Sequence, residues 1–293
     1  MQRDSRPKSV LCTYPHWFYI PAAVVFGVFF LAPTVLSFYF SLTRWTLFDA
    51  TFIGLDNYIR FFQDPQLTSG LRNTAVYAVL TSGLKVIIGL PLAILLTSRL
   101  NLKALLRSII FFPVLVSTVA VGITFSVLMQ PSTGLINSVL EALGMGRPNW
   151  LGDPGLALFS VVLVDVWKGL GIATVLFIAG ILAIPEEYFE AARLEGGAWV
   201  KFWYIILPLS RNATFTVILL SFISGLRTFD LIWTMTRGGP GFASDVLTSV
   251  IFKQYQAGFY GLSTAGNVIL FILVTIIVYP LMRFFNRREL QEL

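Results

Sequence analysis

The chain has 293 residues, 56% of them hydrophobic and only 12% charged, with 26 phenylalanines. A soluble globular domain carries roughly 25% charged residues, so the composition excludes a soluble core and puts bilayer rules in its place. The net charge of +6 and the pI near 9.5 come without a compact basic patch or reader motif, and the cytoplasmic loops of a membrane protein supply such an excess, so no nucleic-acid partner is implied. One cysteine, Cys12, rules out an internal disulfide and a Cys-rich metal site. One histidine, His16, sits beside Trp17 at a membrane interface and leaves little room for His-based metal or triad chemistry.

The apolar run after the basic N-terminus is too long for a cleavable signal and no small-residue cleavage site follows, so it reads as a retained first span. Crossing a bilayer takes roughly 20 apolar residues. Six segments qualify: 17–40, 74–97, 109–129, 156–183, 212–233 and 265–285. The glycines and prolines within them, such as Pro21, Pro33, Gly89, Pro91 and Pro113, are tolerated where neighbouring helices satisfy the freed backbone groups. The expected fold is an all-α integral membrane protein, one domain over 1–293 with no low-complexity linker and no evident repeat.

The connections alternate in character. Residues 41–73 carry Trp45, Phe48, Phe52 and Phe61–Phe62, suited to interfacial anchoring. Residues 130–155 are rich in Gly and Pro, and Arg237-Gly-Gly-Pro-Gly241 marks a sharp turn after the fifth span. The N-terminus (Arg3, Arg6, Lys8), the 98–108 loop (Arg99, Lys103, Arg107), the 184–211 loop (Arg193, Lys201, Arg211) and the tail (Arg283, Arg287, Arg288) each hold three basic residues. The opposite connections hold six in all: Arg44, Arg60, Arg72, Arg147, Arg237 and Lys253. The positive-inside rule puts both termini and the 184–211 loop in the cytoplasm, and an even number of spans agrees with both ends being on one side.

Ions inside the spans are costly, about 2.5–3.5 kcal/mol each near a helix centre on the translocon scale. Asp165–Lys168 and Arg227–Asp230 are spaced to neutralise each other along one helix face, whereas Lys85 has no local partner. With Trp167 and Trp233, these four charges are candidates for a polar translocation path, offering hydrogen-bonding groups and flat aromatic faces to a solute. The alternative is a set of structural pairs holding spans together, which suits Lys85 better. A phosphate-bearing solute would fit Lys168 and Arg227 equally well. The helix-spaced hydroxyls Ser221–Ser224 are expected to bond to backbone.

The longest polar interruption on the cytoplasmic side runs from Ile184 to Pro208. Pro185 can start a helix, Glu186 and Glu187 suit its first turn, and Gly196-Gly197 stops it. At 100° per residue Glu186, Glu190 and Arg193 share one side, with Tyr188, Ala191 and Ala192 on the other. A second short helix over 199–206 precedes Pro208.

Glu190-Ala191-Ala192, Gly196 and Ile205-Ile206-Leu207-Pro208 resemble the EAA motif of permease subunits of binding-protein-dependent ABC importers. Further segments, in the order of that family, are similar to its carbohydrate branch, the maltose and glycerol-phosphate types. They are Phe52-Ile-Gly-Leu-Asp-Asn-Tyr58, Asn73-Thr74, Gly134-Leu-Ile-Asn137, Asp165-Val-Trp-Lys168 and Phe229-Asp-Leu-Ile-Trp-Thr-Met-Thr-Arg-Gly-Gly-Pro240. Three departures stand out. The stretch from Glu190 to Pro208 is one residue short, Gly197 stands where Ala is common, and Arg237 replaces a common Gly. The long extra outer domain of some relatives is also missing.

The resemblance implies a type I ABC importer permease with six spans and a cytoplasmic coupling helix. That helix would seat in a groove of an ATPase subunit, through Glu190, Ala191, Ala192, Glu195, Gly196 and Gly197. It also implies a bacterial or archaeal cytoplasmic membrane as the location, with lipid around the chain. The implied partners are a second permease subunit making a heterodimeric membrane domain, two ATPase subunits and an extracytoplasmic substrate-binding protein. The cargo would be a sugar or related polyol, moved by alternating access. ATP and Mg would be held by the ATPase partners, because this chain has no G-x-x-x-x-G-K-[ST] loop. It also has no H-E-x-x-H and no G-x-S-x-G elbow, so no catalytic role is expected. The competing readings are an ion-coupled secondary transporter, which often shows inverted repeats, an ABC permease for a non-sugar solute such as a glycerol phosphodiester, and a membrane-bound enzyme acting on lipid.

Overall fold

The computed structural model describes residues 16–46, 48–98 and 102–289, the side chains at 16, 193–195, 198, 284 and 286–289 excepted. The expectations placed on Arg3, Arg6, Lys8, Cys12 and Arg99, and on the side chains of His16, Arg193, Glu195, Arg287 and Arg288, fall outside that set. The architecture is helical throughout except for one small hairpin.

The first span joins α1 (Ile20–Phe26), a π turn (Gly27–Leu31) and α2 (Ala32–Ser41). It is followed by an antiparallel hairpin of β1 (Thr43–Trp45) and β2 (Ala50–Phe52), with Arg44 opposite Thr51. Helix α3 (Asp56–Gln63) leads into α4 (Pro65–Thr97), which begins nine residues before the expected 74. The cause is a local start signal. Asp64 caps the helix by accepting from Gln66 N at 2.8 Å, and Pro65 occupies the first turn.

The third span is not the single helix expected over 109–129. It is α5 (Lys103–Leu115) and α6 (Thr118–Leu128), bent by 99°. The backbone goes extended at Val116 and Ser117, just after Pro113 has removed a helix donor. Helix α7 (Leu135–Ala142) lies in the following loop and α8 (Ala157–Leu182) is the fourth span. The interhelical loop holds α9 (Glu186–Glu195), then α10 (Ala198–Val200), a π turn (Lys201–Ile206) and α11 (Leu207–Leu209). The second short helix therefore runs past Pro208, which sits where the π turn passes into α11. A 61° bend separates it from α12 (Arg211–Leu226).

The fifth span stops at Leu226 instead of continuing to 233. Helix α13 (Asp230–Met235) starts afresh after three non-helical residues. Helices α14 (Leu247–Gln256) and α15 (Tyr260–Glu289) complete the chain. Among the described residues four helical stretches are long and apolar enough to cross a bilayer unbroken, and the number is six when each bent pair is taken as one span.

The packing centres on α4, which lies against both α8 and α12. Gly225 makes the close approach possible, since a Cβ there would lie 2.7 Å from Ala78 Cα. One apolar core gathers Leu90, Ala93, Ala173, Phe177, Ile181, Ile206 and Val217. Another, toward the opposite end, holds Tyr77, Val161, Val164, Leu231 and Ile232.

Three asparagines from the recognisable segments tie distant stretches together. Asn57 donates to the carbonyls of Ser41 and Thr43, each at 2.8 Å. Asn73 donates to those of Asp245 and Ala243 at 2.9 and 3.1 Å. Asn137 donates to the Pro148 carbonyl at 3.0 Å and accepts from the Trp150 indole at 2.7 Å. Each bonds to backbone carbonyls in loops or at the ends of elements. Thr74 Oγ1 accepts from Leu247 N at 2.7 Å beside the Asn73 contacts.

The turn at Arg237 explains why glycine is common there. Arg237 has φ +52, the left-handed region, and Gly238 has φ +84 with Asp245 Oδ1 where a Cβ would stand. A non-glycine residue in that region costs about 1–2 kcal/mol, partly offset by the greater freedom a glycine would have when unfolded. Arg237→Gly is therefore expected to leave the stability unchanged or raise it by up to about 1 kcal/mol, read as the melting midpoint of the detergent-solubilised chain.

Candidate functional site

The intramembrane charges converge, but not in the pairs their spacing suggested. Lys85 of α4 reaches across to α8 and donates to Asp165 Oδ2 at 3.1 Å, the side chains 6% and 18% exposed. Asp165 therefore pairs with Lys85, not with Lys168. The enabling residue is Gly169, one turn beyond Asp165, where a Cβ would stand 2.6 Å from Lys85 Cε. The lysine stem lies in the groove that this glycine leaves open. Arg227 and Asp230 do not pair either. The helix ends between them, so the i,i+3 geometry that would bring them together is absent.

These groups wall a cavity of about 610 Å³ between α4, α8 and α12. Lys85, Asp165, Lys168, Arg227 and Asp230 all line it. The break after α5 adds Thr118 and Val114 to the wall, and the gap between α12 and α13 adds Thr228 and Phe229. Ser221 and Ser224 also face it, and neither makes the expected bond to backbone. Their hydroxyls are thus available to a solute, a role not assigned to them from the sequence. The buried Tyr77 hydroxyl lies beside Asp165 and Thr228 without a well-formed hydrogen bond among the described residues.

The two tryptophans stand elsewhere. Trp167 is 42% exposed and lies against Phe125, ring centres 5.2 Å apart. Being two residues from Asp165, it points about 200° around α8. Trp233 packs behind the cavity wall, stacked on Phe229 at 5.6 Å and edge-on to Phe252 at 4.9 Å. The aromatic face offered to the cavity is Phe229.

The loop from α9 to α11 is built into the body of the protein. Phe189 and Ala192, three residues apart, turn inward, and Ala192 is 7% exposed. Glu186, Glu187, Tyr188, Glu190 and Ala191 face outward. Tyr188 and Ala191, which the helical wheel put on one side with Ala192, are thus turned outward while Ala192 is turned inward. Lys201 Nζ lies 4.5 Å over the Phe189 ring, a cation–π contact joining the two short helices. Phe202 and Ile206 continue into the core that holds Leu90, Phe177 and Ile181. Ala173 and Val217 belong both to that core and to the cavity wall. A continuous run of packed side chains therefore connects α9 to the cavity.

Gly196 has extended backbone, φ −175 and ψ 170, which any residue adopts. What restricts it is space, since a Cβ would meet Val200 Cγ2 at 2.6 Å. Nothing lies within 4 Å of a Cβ built on Gly197, so the alanine common at that place in the motif would fit.

Residues 85–291 match the family described as "Binding-protein-dependent transport system inner membrane component". The chain is 33% identical over 280 residues to a probable ABC transporter permease protein, YurN, of Bacillus subtilis, covering 93% of this chain and 96% of that protein. It is 34% identical over 258 residues to the trehalose/maltose transport system permease protein MalF of Thermococcus litoralis, covering 87% and 88%. The fold is similar to a chain in the crystal structure of a bacterial alginate ABC transporter in complex with an alginate pentasaccharide-bound periplasmic protein. There the TM-score is 0.76 at 21% identity, covering 92% and 93% of the two chains.

Proposed function

Because the chain belongs to the family of binding-protein-dependent transport system inner membrane components, and is a membrane-spanning permease of an ABC importer, we propose that its cargo is a sugar or a related polyol. The observation that supports this best is the 34% identity, over most of both chains, to a trehalose/maltose permease. The cavity agrees in kind, with hydroxyls from Ser221, Ser224 and Thr228 and the face of Phe229 beside charged donors and acceptors.

In this reading the chain forms one half of the path and a second permease forms the other. An extracytoplasmic binding protein delivers the solute to the outer loops, and one of the two ATPase subunits binds at α9. Both termini and α9 lie in the cytoplasm, in keeping with the excess of Lys and Arg on that side. ATP and Mg belong to the ATPase partners. Glu190 and Ala191 present the outward face for docking, while Phe189 and Ala192 transmit the motion inward. Movement of α9 would carry α10 and α11 with it through the Phe189–Lys201 contact, and shift the cavity wall through Ala173 and Val217.

The test is solute uptake into vesicles holding the assembled transporter with ion gradients clamped. A catalytic mutation in the ATPase partner is expected to abolish uptake of the sugar. Uptake that survives that mutation and falls with the ion gradient would establish the ion-coupled alternative.

A further inference from the structure

We propose that the transported solute carries an acidic group, a carboxylate or a phosphate, that is received between Lys168 and Arg227. This rests on the reading of the chain as a sugar permease and narrows the class of sugar.

The cavity holds three cations and two carboxylates. Lys85 and Asp165 neutralise each other at 3.1 Å and drop out of the account. Lys168, Arg227 and Asp230 remain, one positive charge in excess. Neither Lys168 nor Arg227 forms an ion pair among the described residues. Arg227 follows the last residue of α12, where a helix end favours a cation. Lys168 has no such reason. It sits in the middle of α8, an apolar span of 26 residues, at a cost of about 2.5–3.5 kcal/mol unless water or an anion meets it.

A saccharide acid or phosphate supplies the missing charge. Its anionic oxygens would accept from the Arg227 fork and the Lys168 ammonium. Its hydroxyls would meet Ser221 and Ser224, which can both donate and accept, and Asp230, which accepts. A volume of about 610 Å³ admits a sugar unit of this kind. The rival source of negative charge is a carboxylate from the second membrane chain.

The experiment uses the complete transporter in proteoliposomes with three labelled probes: trigalacturonate, glucose 1-phosphate and neutral maltotriose. ATP-driven uptake of one of the acidic probes in preference to maltotriose is expected, and the probe accepted tells carboxylate from phosphate. Lys168→Gln and Arg227→Gln should each lower that uptake roughly 10- to 100-fold, the factor of one or two charged hydrogen bonds. Lys168→Arg should restore most of it. Preferential uptake of maltotriose, with ATP dependence intact, overturns the acidic cargo and leaves the sugar permease standing. Loss of the second membrane chain on co-purification of either Gln variant also overturns it, by showing that the cations pair across the subunit boundary. If ATP drives the uptake of none of the three, the sugar reading falls and this inference falls with it.

Discussion

Lys85→Met is expected to destabilise the folded chain by about 3–5 kcal/mol, the range for removing one partner of a buried ion pair. Both side chains are mostly buried, at 6% and 18% exposure, so solvent screening does little to soften the loss. Asp165 would lose the ion pair it makes among the described residues, since neither Lys168 nor Arg227 bonds to it. The damage comes from the orphaned carboxylate more than from the lost attraction. The double variant Lys85→Met with Asp165→Leu should therefore recover most of the stability. Thermal unfolding of the detergent-solubilised chain, followed by size-exclusion chromatography, separates the two cases. A single variant as stable as the native chain would show that the pair contributes nothing to the α4–α8 contact. Gly169→Ala should act in the same direction, since its methyl group would occupy the space of the Lys85 stem.

Gly196→Asp is expected to disconnect ATP hydrolysis from transport while leaving the spans inserted. Its Cβ would lie 2.6 Å from Val200 Cγ2, 2.8 Å from Val200 Cβ and 3.1 Å from Val200 Cγ1. The branched valine is one turn away and has no flexible end to move aside, so α10 must shift relative to α9. Overpacking of this kind costs about 1–3 kcal/mol, equivalent to roughly 5- to 150-fold in docking to the ATPase. Co-purification of the ATPase and the ratio of solute moved to ATP consumed report the effect. Gly197→Ala is the matched control and should behave as native, because no atom lies within 4 Å of its Cβ. Val200→Ala should partly rescue Gly196→Ala by removing the two methyl groups it meets. Equal behaviour of the two glycine variants would refute the steric account.

The recognisable segments turn out to be joints. Asn57, Asn73 and Asn137 each bond to backbone carbonyls of other segments, as far as 16, 172 and 11 residues away respectively. They stand out in sequence because no aliphatic residue can do that work at those positions. The outward carboxylates of α9 were legible for a similar local reason, since charge at the start of a short exposed helix follows from the helix itself. The inward turn of Ala192 was not, because it depends on the Lys201–Ile206 turn that packs against α9, not on α9 itself.

Composition, run length and turn residues were enough to determine a helical membrane chain, the approximate place of each crossing and the polar loop between the fourth and fifth. Those are local properties: apolar runs must form helices in lipid, and Gly, Pro and capping residues end them. Only the tertiary structure decided where the third and fifth spans break, which partner Asp165 takes, and that Ser221 and Ser224 face a cavity while Trp167 and Trp233 do not. The physical reason is that a span apolar on every side carries no amphipathic stripe to show which face looks inward. For such helices, the direction of a side chain is set by neighbours brought in from far along the chain, as Lys85 and Asp165 are brought together across 80 residues.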